Sequence, residues 1–298
     1  MFSLQRLFLL QIMGVIALCL LFKILLHEIN FQFFLDNGHY FFVGVLGAIA
    51  ANCTGAGGGV VFIPVFEILD LTQKQSLATS LAIQCIGMTA GATVWVRFTL
   101  KRMAENNMNY SVFPSILSKA ATSSIMGVIL VRILNWEAPG SIPLLFGLFS
   151  LILGVLLFYQ LLHGYKRSNF RNTFNSLDSA LILITSFAGG IVTTWISVGV
   201  GEMIAVLLIL RRFDIFLSVA IAVCVSSITV IITLLTHTPI WQEIRSEIFI
   251  FAAPGALIGG SVARYLVIKI SPFVFKSCFA AYILFVGVLE LARAAILL

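Results

Sequence analysis

Along this chain apolar residues run on in long blocks rather than alternating with polar ones. The blocks fall at residues 7–26, 40–71, 75–98, 112–133, 142–163, 178–210, 214–236, 247–268 and 273–298. About 20 helical residues cross a hydrocarbon core of about 30 Å, so seven of the nine predict single transmembrane helices. The other two have the wrong length. As one helix, residues 40–71 would extend about 48 Å, too long for one crossing and too short for two. That block also holds Gly55, Gly57, Gly58 and Gly59, and each glycine inside a helix costs about 1 kcal/mol relative to alanine. The block at 178–210 is interrupted at Gly199, Val200, Gly201 and Glu202. Each of these two blocks predicts a re-entrant hairpin of two half-helices.

Composition narrows the class. The 298 residues are 60% apolar and 10% charged, against about 25% charged in a soluble domain. This excludes a soluble fold and predicts one polytopic membrane domain. The net charge of +6 does not point to nucleic acid, because the basic residues stand at the ends of apolar blocks and not along one polar face. Cys19, Cys53, Cys85, Cys224 and Cys278 all lie inside apolar runs without CxxC or Cys/His spacing. They read as small packing residues, and no metal or cofactor is expected. Residues 7–26 resemble a signal peptide, but the run is long and ends in LLFKILLHEIN without a small-residue cleavage pattern. It reads as a transmembrane helix.

Lysine and arginine concentrate on cytoplasmic loops, so the few charges test the two hairpins. If both hairpins return to the side they entered from, twelve of the 18 basic residues share one face: Arg6, Arg97, Lys101, Arg102, Lys166, Arg167, Arg171, Arg211, Arg212, Arg264, Lys269 and Lys276. Lys23, Lys74, Arg132, Arg245 and Arg293 mark the other face, and Lys119 falls inside a helix. Full crossings at both places would remove the bias. The expected topology is seven crossings plus two re-entrant hairpins, with the amino terminus cytoplasmic and the carboxyl terminus outside. The expected location is the bacterial cytoplasmic (inner) membrane.

An internal repeat agrees with that count. A shift of 142 residues lays Gly47 on Gly189, Gly57 on Gly199, Gly59 on Gly201, Ser76 on Ser218, Ala78 on Ala220 and Gln84 on Ser226. A shift of 140 lays Pro114 on Pro254. Each half is one hairpin followed by three crossings, and an odd number of crossings inverts the second half relative to the first. The expected fold is an all-α polytopic membrane protein with inverted repeats at residues 40–165 and 178–298. Residues 1–39 add an N-terminal transmembrane helix and outer loop, and residues 166–177 form a cytoplasmic linker. Inverted repeats with interrupted helices in matching positions are the architecture of secondary transporters, whose site lies near the midplane between the breaks.

The stretch GAIAANCTGAGGGVVFIPVFEILDLTQKQSLATSLA (47–82) resembles the amino-terminal signature of the TauE/SafE family of sulfite and sulfonate exporters. In that signature a GxGGG run precedes an apolar half-helix with proline and then a small-residue helix. AGGIVTTWISVGVGEMIAVLLILRRF (188–213) resembles the family's second copy. PGALIGGSVARYL (254–266) and FAAYILFVGVLEL (279–291) resemble its carboxyl-terminal signature. The resemblance covers residues 40–298, which leaves the first helix as an addition. The chain departs from the pattern at Glu202, where a third glycine is common. The resemblance implies export, and in some members uptake, of a small sulfur-containing or organic anion.

Physical chemistry makes an anion reasonable on separate grounds. Where a helix restarts after a glycine break, its free N–H groups and its positive dipole end, about half an elementary charge, face the gap. Glycine also lets an oxyanion approach the backbone. The candidate substrate-binding residues are Asn52, Thr54, Gly55, Gly57, Gly58, Gly59 and Gln84 in the first half and Thr194, Ser197, Gly199, Gly201 and Ser226 in the second, with Thr193 beside them. The competing roles are close helix packing for the glycines and back-bonding to their own helix for the hydroxyls.

Glu202 is an acid inside an apolar block, where a charge costs about 2.5 to 3.5 kcal/mol. It is the candidate for proton coupling, with a permanent ion pair or a helix cap as the alternative. Lys119 either attracts the anion, pairs with Glu202, or snorkels to the cytoplasmic surface. Ser76, Thr79, Ser80 and Gln84, like Ser218, Ser226, Thr229 and Thr233, form polar stripes that point into the bundle. Gly255 and Gly259 have the small-xxx-small packing spacing.

No catalytic residues are expected. His27 and Glu28 do not continue to HExxH, no serine stands in GxSxG, and His27, His39, His163 and His237 lie at block ends. The expected function is a secondary transporter of a small anion, with export as its direction and a proton as its coupling ion. An anion channel is the alternative, and an intramembrane enzyme a more distant one. The expected partners are the small anionic substrate and the lipid bilayer; the oligomeric state is not set by the sequence.

Overall fold

Two of the apolar blocks are broken at their glycines. The computed structural model describes residues 31–105, 107–164, 171, 173–269 and 272–296, and the block at 7–26 lies outside them. The regular elements described are all helical: α1 (Phe31–Asn37), α2 (Tyr40–Thr54), α3 (Gly59–Ile68), α4 (Gln73–Ala104), α5 (Phe113–Ile133), α6 (Ile142–Gly164), α7 (Ser176–Ile196), α8 (Val200–Leu210), α9 (Ile215–Thr236), α10 (Ser246–Lys269) and α11 (Pro272–Ile296). Short 3₁₀ turns lie at Met108–Tyr110 and Thr238–Glu243.

Among the described residues, seven stretches are long and apolar enough to cross a bilayer: Gln32–Thr54, Gln73–Ala104, Met108–Ile133, Ile142–Tyr159, Ser176–Ile196, Ile215–Thr236 and Ser246–Lys269. The number equals the count of crossings expected from the sequence, but the membership differs. Gln32–Thr54 and Ser176–Ile196 contain the first halves of the two expected hairpins, and α11 is not in the set. The chain is an integral membrane protein. Its outward residues agree, since Ile129, Ile152, Val155, Ile258 and Phe285 are exposed, as lipid contact requires.

Local chemistry sets where helices start. Thr72 accepts from the Gln75 amide and Gln75 reaches back to the Thr72 amide, a capping box that opens α4. Asn175 and Asp178 do the same for α7, and Asp214 caps α9 through the Leu217 amide at 3.0 Å. Each such cap contributes about 1 kcal/mol.

The breaks have related geometry. Gly55 ends α2 in the left-handed region at φ 82, and Ser197 ends α7 there at φ 63; the two are one 142-residue shift apart. Gly199 follows at φ 153, a conformation open to glycine and strained for other residues. The second break therefore lies at Ser197–Gly199, and Glu202 falls in the first turn of α8 rather than in the gap.

Packing pairs the helices across the two halves. The most extensive contacts between the halves join α2 with α10, α5 with α7, α6 with α11, α4 with α9, α4 with α10 and α5 with α9. Exchanging α2–α6 for α7–α11 in order maps this set of pairings onto itself. Gly255 and Gly259 of α10 lie directly on the carbonyls of Phe41 and Val45 in α2, and Gly127 and Gly190 bring the backbones of α5 and α7 equally close. The prolines matched at a shift of 140 do not share a role. Pro114 occupies the first turn of α5, whereas Pro254 lies well inside α10.

Candidate functional site

The second broken pair is tied at its ends. Asp178, in the first turn of α7, accepts from Arg211 Nε just beyond α8 at 2.6 Å and pairs with Arg171 at 3.4 Å. In the first pair, Glu67 near the end of α3 meets Arg293 of α11 at 3.0 Å, and the same guanidinium holds Glu290 at 3.2 Å.

The two breaks touch. A Cβ on Gly59 would stand 2.6 Å from the Ser197 carbonyl, and one on Gly201 would collide with the Gly55 carbonyl. Gly59 and Gly201 are one 142-residue shift apart, as are Gly55 and Ser197, so the contact is reciprocal.

Glu202 sits between the two restarting helices. Its Oε2 accepts from the Gly199 amide at 2.9 Å, a side chain in the first turn reaching back to its own helix start. Its Oε1 accepts from the Gly57 amide at 2.5 Å across the break. Gly57 and Gly199 are again one 142-residue shift apart. One carboxylate, 2% exposed, thus receives matching N–H groups from both breaks, with the positive ends of α3 and α8 behind them. Hydrogen bonds to an ionised acceptor are roughly twice as strong as neutral ones. The Val200 amide is taken separately, by Thr193 Oγ1 at 3.0 Å.

Gln84 enters from α4. Its Nε2 donates to Ser197 Oγ at 2.6 Å, to the Ser197 carbonyl at 3.2 Å and to Ser80 Oγ at 3.0 Å. Because a carbonyl oxygen only accepts, the amide nitrogen must face Ser197. Gln84 Oε1 is therefore turned away and has no hydrogen-bond partner, although the residue is 1% exposed. That oxygen and Glu202 Oε1 lie 3.1 and 3.4 Å from the point a Gly57 Cβ would occupy. Ser226 of α9, one 142-residue shift from Gln84, also has a buried hydroxyl without a partner, directly against Gly201.

The other candidates are placed differently. Thr54 Oγ1 donates to the Ala50 carbonyl at 2.8 Å and accepts from the Ala56 amide at 3.1 Å, which fastens the turn out of α2. Thr194 bonds back to Gly190 at 2.9 Å. Asn52 faces α4, with Nδ2 donating to the carbonyls of Ala48 at 2.8 Å and Gly87 at 3.2 Å. Gly58 lies against the Phe62 ring and the Gln84 stem. Lys119 Nζ is 3.3 Å from Ser115 Oγ and 4.7 Å from the centre of the Phe174 ring; neither contact leads to Glu202. Ser80, read from the sequence only as part of a polar stripe, joins the site by standing one turn before Gln84 and bonding the Ser197 hydroxyl at 3.1 Å.

A small cavity of about 20 Å³ lies beside Glu202, between Thr54 and Ala56 at the first break, Leu153 and Leu157 of α6, and Val206 of α8. Among the described residues no group of three or more His, Cys, Asp or Glu is arranged to hold a metal ion. A protein-family model described as Sulfite exporter TauE/SafE matches residues 40–289, from the first residue of α2 into α11, and so takes in both breaks. Neither a curated protein nor a solved structure matches.

Proposed function

The chain belongs to the TauE/SafE sulfite exporter family, and from that premise we propose that it is a secondary transporter exporting sulfite, a sulfonate or a similar small anion, with a proton coupled through Glu202. The observation that carries the reading is the convergence of the Gly57 and Gly199 amides on one buried carboxylate. Two N–H donors backed by two helix dipoles suit an oxyanion, and sulfite and sulfonates present pairs of oxygens much as a carboxylate does. Gln84, Ser197 and Ser226 border this place. Gly55, Gly59 and Gly201 let the breaks approach each other, Gly58 lies against Phe62 and Gln84, and Thr54, Thr194 and Asn52 hold their frame.

Inverted repeats are supported by the exchange of helix pairings between halves and by the equivalence of Gly57 with Gly199. A re-entrant second hairpin is supported by the Asp178–Arg211 tie, which brings the start of α7 to the end of α8. Rocking of one repeat against the other would open the site to alternate sides. A cytoplasmic amino terminus is supported by the gathering of basic residues: Arg102 and Arg264 stack on the Phe98 ring at 5.3 and 4.7 Å. The Arg171 amide likewise donates to the Arg212 carbonyl at 2.8 Å.

Reconstitution tests the proposal. Labelled sulfite and sulfonates are expected to cross proteoliposomes with saturating kinetics that respond to an imposed pH gradient. Flux that does not saturate would favour a channel, and no flux above empty vesicles would overturn the reading.

A further inference from the structure

Glu202 does in this structure what a bound anion would do. Each oxygen of its carboxylate takes one of the two equivalent amides, Gly199 at 2.9 Å and Gly57 at 2.5 Å, and each amide has a single N–H to give. An oxyanion cannot use these donors while the carboxylate holds them. We infer that the Glu202 carboxylate is a resident anion of the transport site, competing with the substrate for the Gly57 and Gly199 amides and vacating them when it takes up a proton. This rests on the transporter reading above and adds to it the order of events.

The surroundings give the competition its force. Glu202 shares its cavity with Thr54 from α2 and Leu153 and Leu157 from α6. Gln84 from α4 and the Ser197 carbonyl at the end of α7 border the same Gly57 position as Glu202 Oε1, and Ser226 from α9 stands against the neighbouring Gly201. Among the described residues Glu202 forms no ion pair, and its carboxylate is met by the backbone N–H groups of Gly57 and Gly199. A second negative charge here would meet no cation, so the two anions exclude each other electrostatically as well as by shared donors. A neutral carboxyl has a partner available within the site. The cavity beside it is apolar apart from Thr54 and Glu202 itself. Gln84 Oε1 is a buried acceptor without a donor, and an acid O–H is the kind of donor it lacks.

The step balances. A proton from water on the open side adds to one carboxylate oxygen, the two N–H bonds to Glu202 break, and a monoanion takes both amides. The site carries one negative charge before and after. Release reverses this: the anion leaves, the proton returns to water and the carboxylate re-enters the amides. One proton then travels with each monoanion, so the transported unit is electroneutral.

Ethanesulfonate tests this cleanly, because it stays a monoanion while Glu202 titrates, and any pH dependence of its binding belongs to the protein. Binding of radiolabelled ethanesulfonate to the full chain in lipid nanodiscs is measured against pH for the wild type, Glu202→Gln and Glu202→Gly. The wild-type apparent Kd is expected to rise by about tenfold per pH unit on the alkaline side. Both variants are expected to bind independently of pH, at least as tightly as the wild type in acid. A pH-independent wild type, or variants that bind more weakly than the wild type throughout, would overturn the competition. If none of the three binds ethanesulfonate or sulfite while each elutes monodisperse and helical, the transporter reading fails instead. Should a variant not fold, the wild-type profile alone decides.

Discussion

Gln84 holds Ser197 by both of its oxygens, donating to the hydroxyl at 2.6 Å and to the carbonyl at 3.2 Å. Ser197 is a non-glycine residue in the left-handed region, a conformation that costs an L-residue about 1–2 kcal/mol. The helix next to the break thus pins the strained residue of the opposite half. Gln84→Leu leaves the Ser197 carbonyl without this donor and the Ser80 and Ser197 hydroxyls with only each other, a loss of about 1–3 kcal/mol that loosens the break. Sulfite uptake into proteoliposomes is expected to fall by about tenfold or more. Ser197→Gly keeps the left-handed backbone at no steric cost and forfeits only the hydroxyl, so its rate should fall by only a few-fold. A Ser197→Gly protein slower than Gln84→Leu would reverse the assigned roles.

The reciprocal contact of the breaks predicts a contrast between neighbouring glycines. A Cβ on Gly59 meets the Ser197 carbonyl and Val198 Cγ2, each at 2.6 Å, and a carbonyl fixed at a helix end cannot withdraw. A Cβ on Gly58 meets the Phe62 ring edge at 2.8 Å and Gln84 Cγ at 3.0 Å, both on side chains that can shift. Gly59→Ala is expected to abolish transport of sulfite with the protein still folded, and Gly58→Ala to retain a measurable fraction. Equal rates for the two would show that the breaks need not touch.

What the sequence discloses here follows from the range of each interaction. The breaks at Gly55–Gly59 and near Gly199 are legible because a glycine's cost in a helix is local. Glu202 stands out because a charge in an apolar block is conspicuous by itself. Its bond to Gly57 spans 145 residues of chain, and only the packing of one half on the other decides it. Ser197 gives no local sign of a left-handed conformation, which the flanking helices impose. Thr194 and Asn52 also look available as letters. In the structure Thr194 bonds its own helix at Gly190, and Asn52 bonds Ala48 and Gly87, because a buried polar group takes the nearest backbone acceptor. Pro114 and Pro254 match in the alignment of the halves and differ in place, since α10 starts earlier relative to its proline than α5 does.

Asp178 predicts a stability effect. Its side chain is fully buried, while Arg211 is 27% exposed, so the pair is only partly screened by solvent. Asp178→Ala removes the partner of Arg211 and Arg171 and the reciprocal half of the α7 cap. The expected loss is about 1–3 kcal/mol, seen as a lower melting temperature in detergent. Arg211→Ala in the same protein should cost less than it does alone, with a coupling of about 1 kcal/mol in a double-mutant cycle. Strict additivity would mean that the tie does not hold the ends of α7 and α8 together.

The two ends of α5 offer a direct test of sidedness. Glu105, just after α4, is exposed and pairs with Lys101 and Arg102; Glu137, just after α5, is also exposed. Met108–Ile133 is apolar and long enough to cross a bilayer, which would place these two positions on opposite sides. Lys101, Arg102, Arg211, Arg212 and Arg264 belong to the predominantly basic face, and such a face stays cytoplasmic because cationic loops translocate poorly. In a background with the five native cysteines changed to alanine, a membrane-impermeant maleimide added to intact cells is expected to label the Glu137→Cys protein and not the Glu105→Cys protein. Inside-out vesicles should give the opposite pattern. If intact cells label Glu105→Cys alone, the cytoplasmic placement of the basic face is wrong.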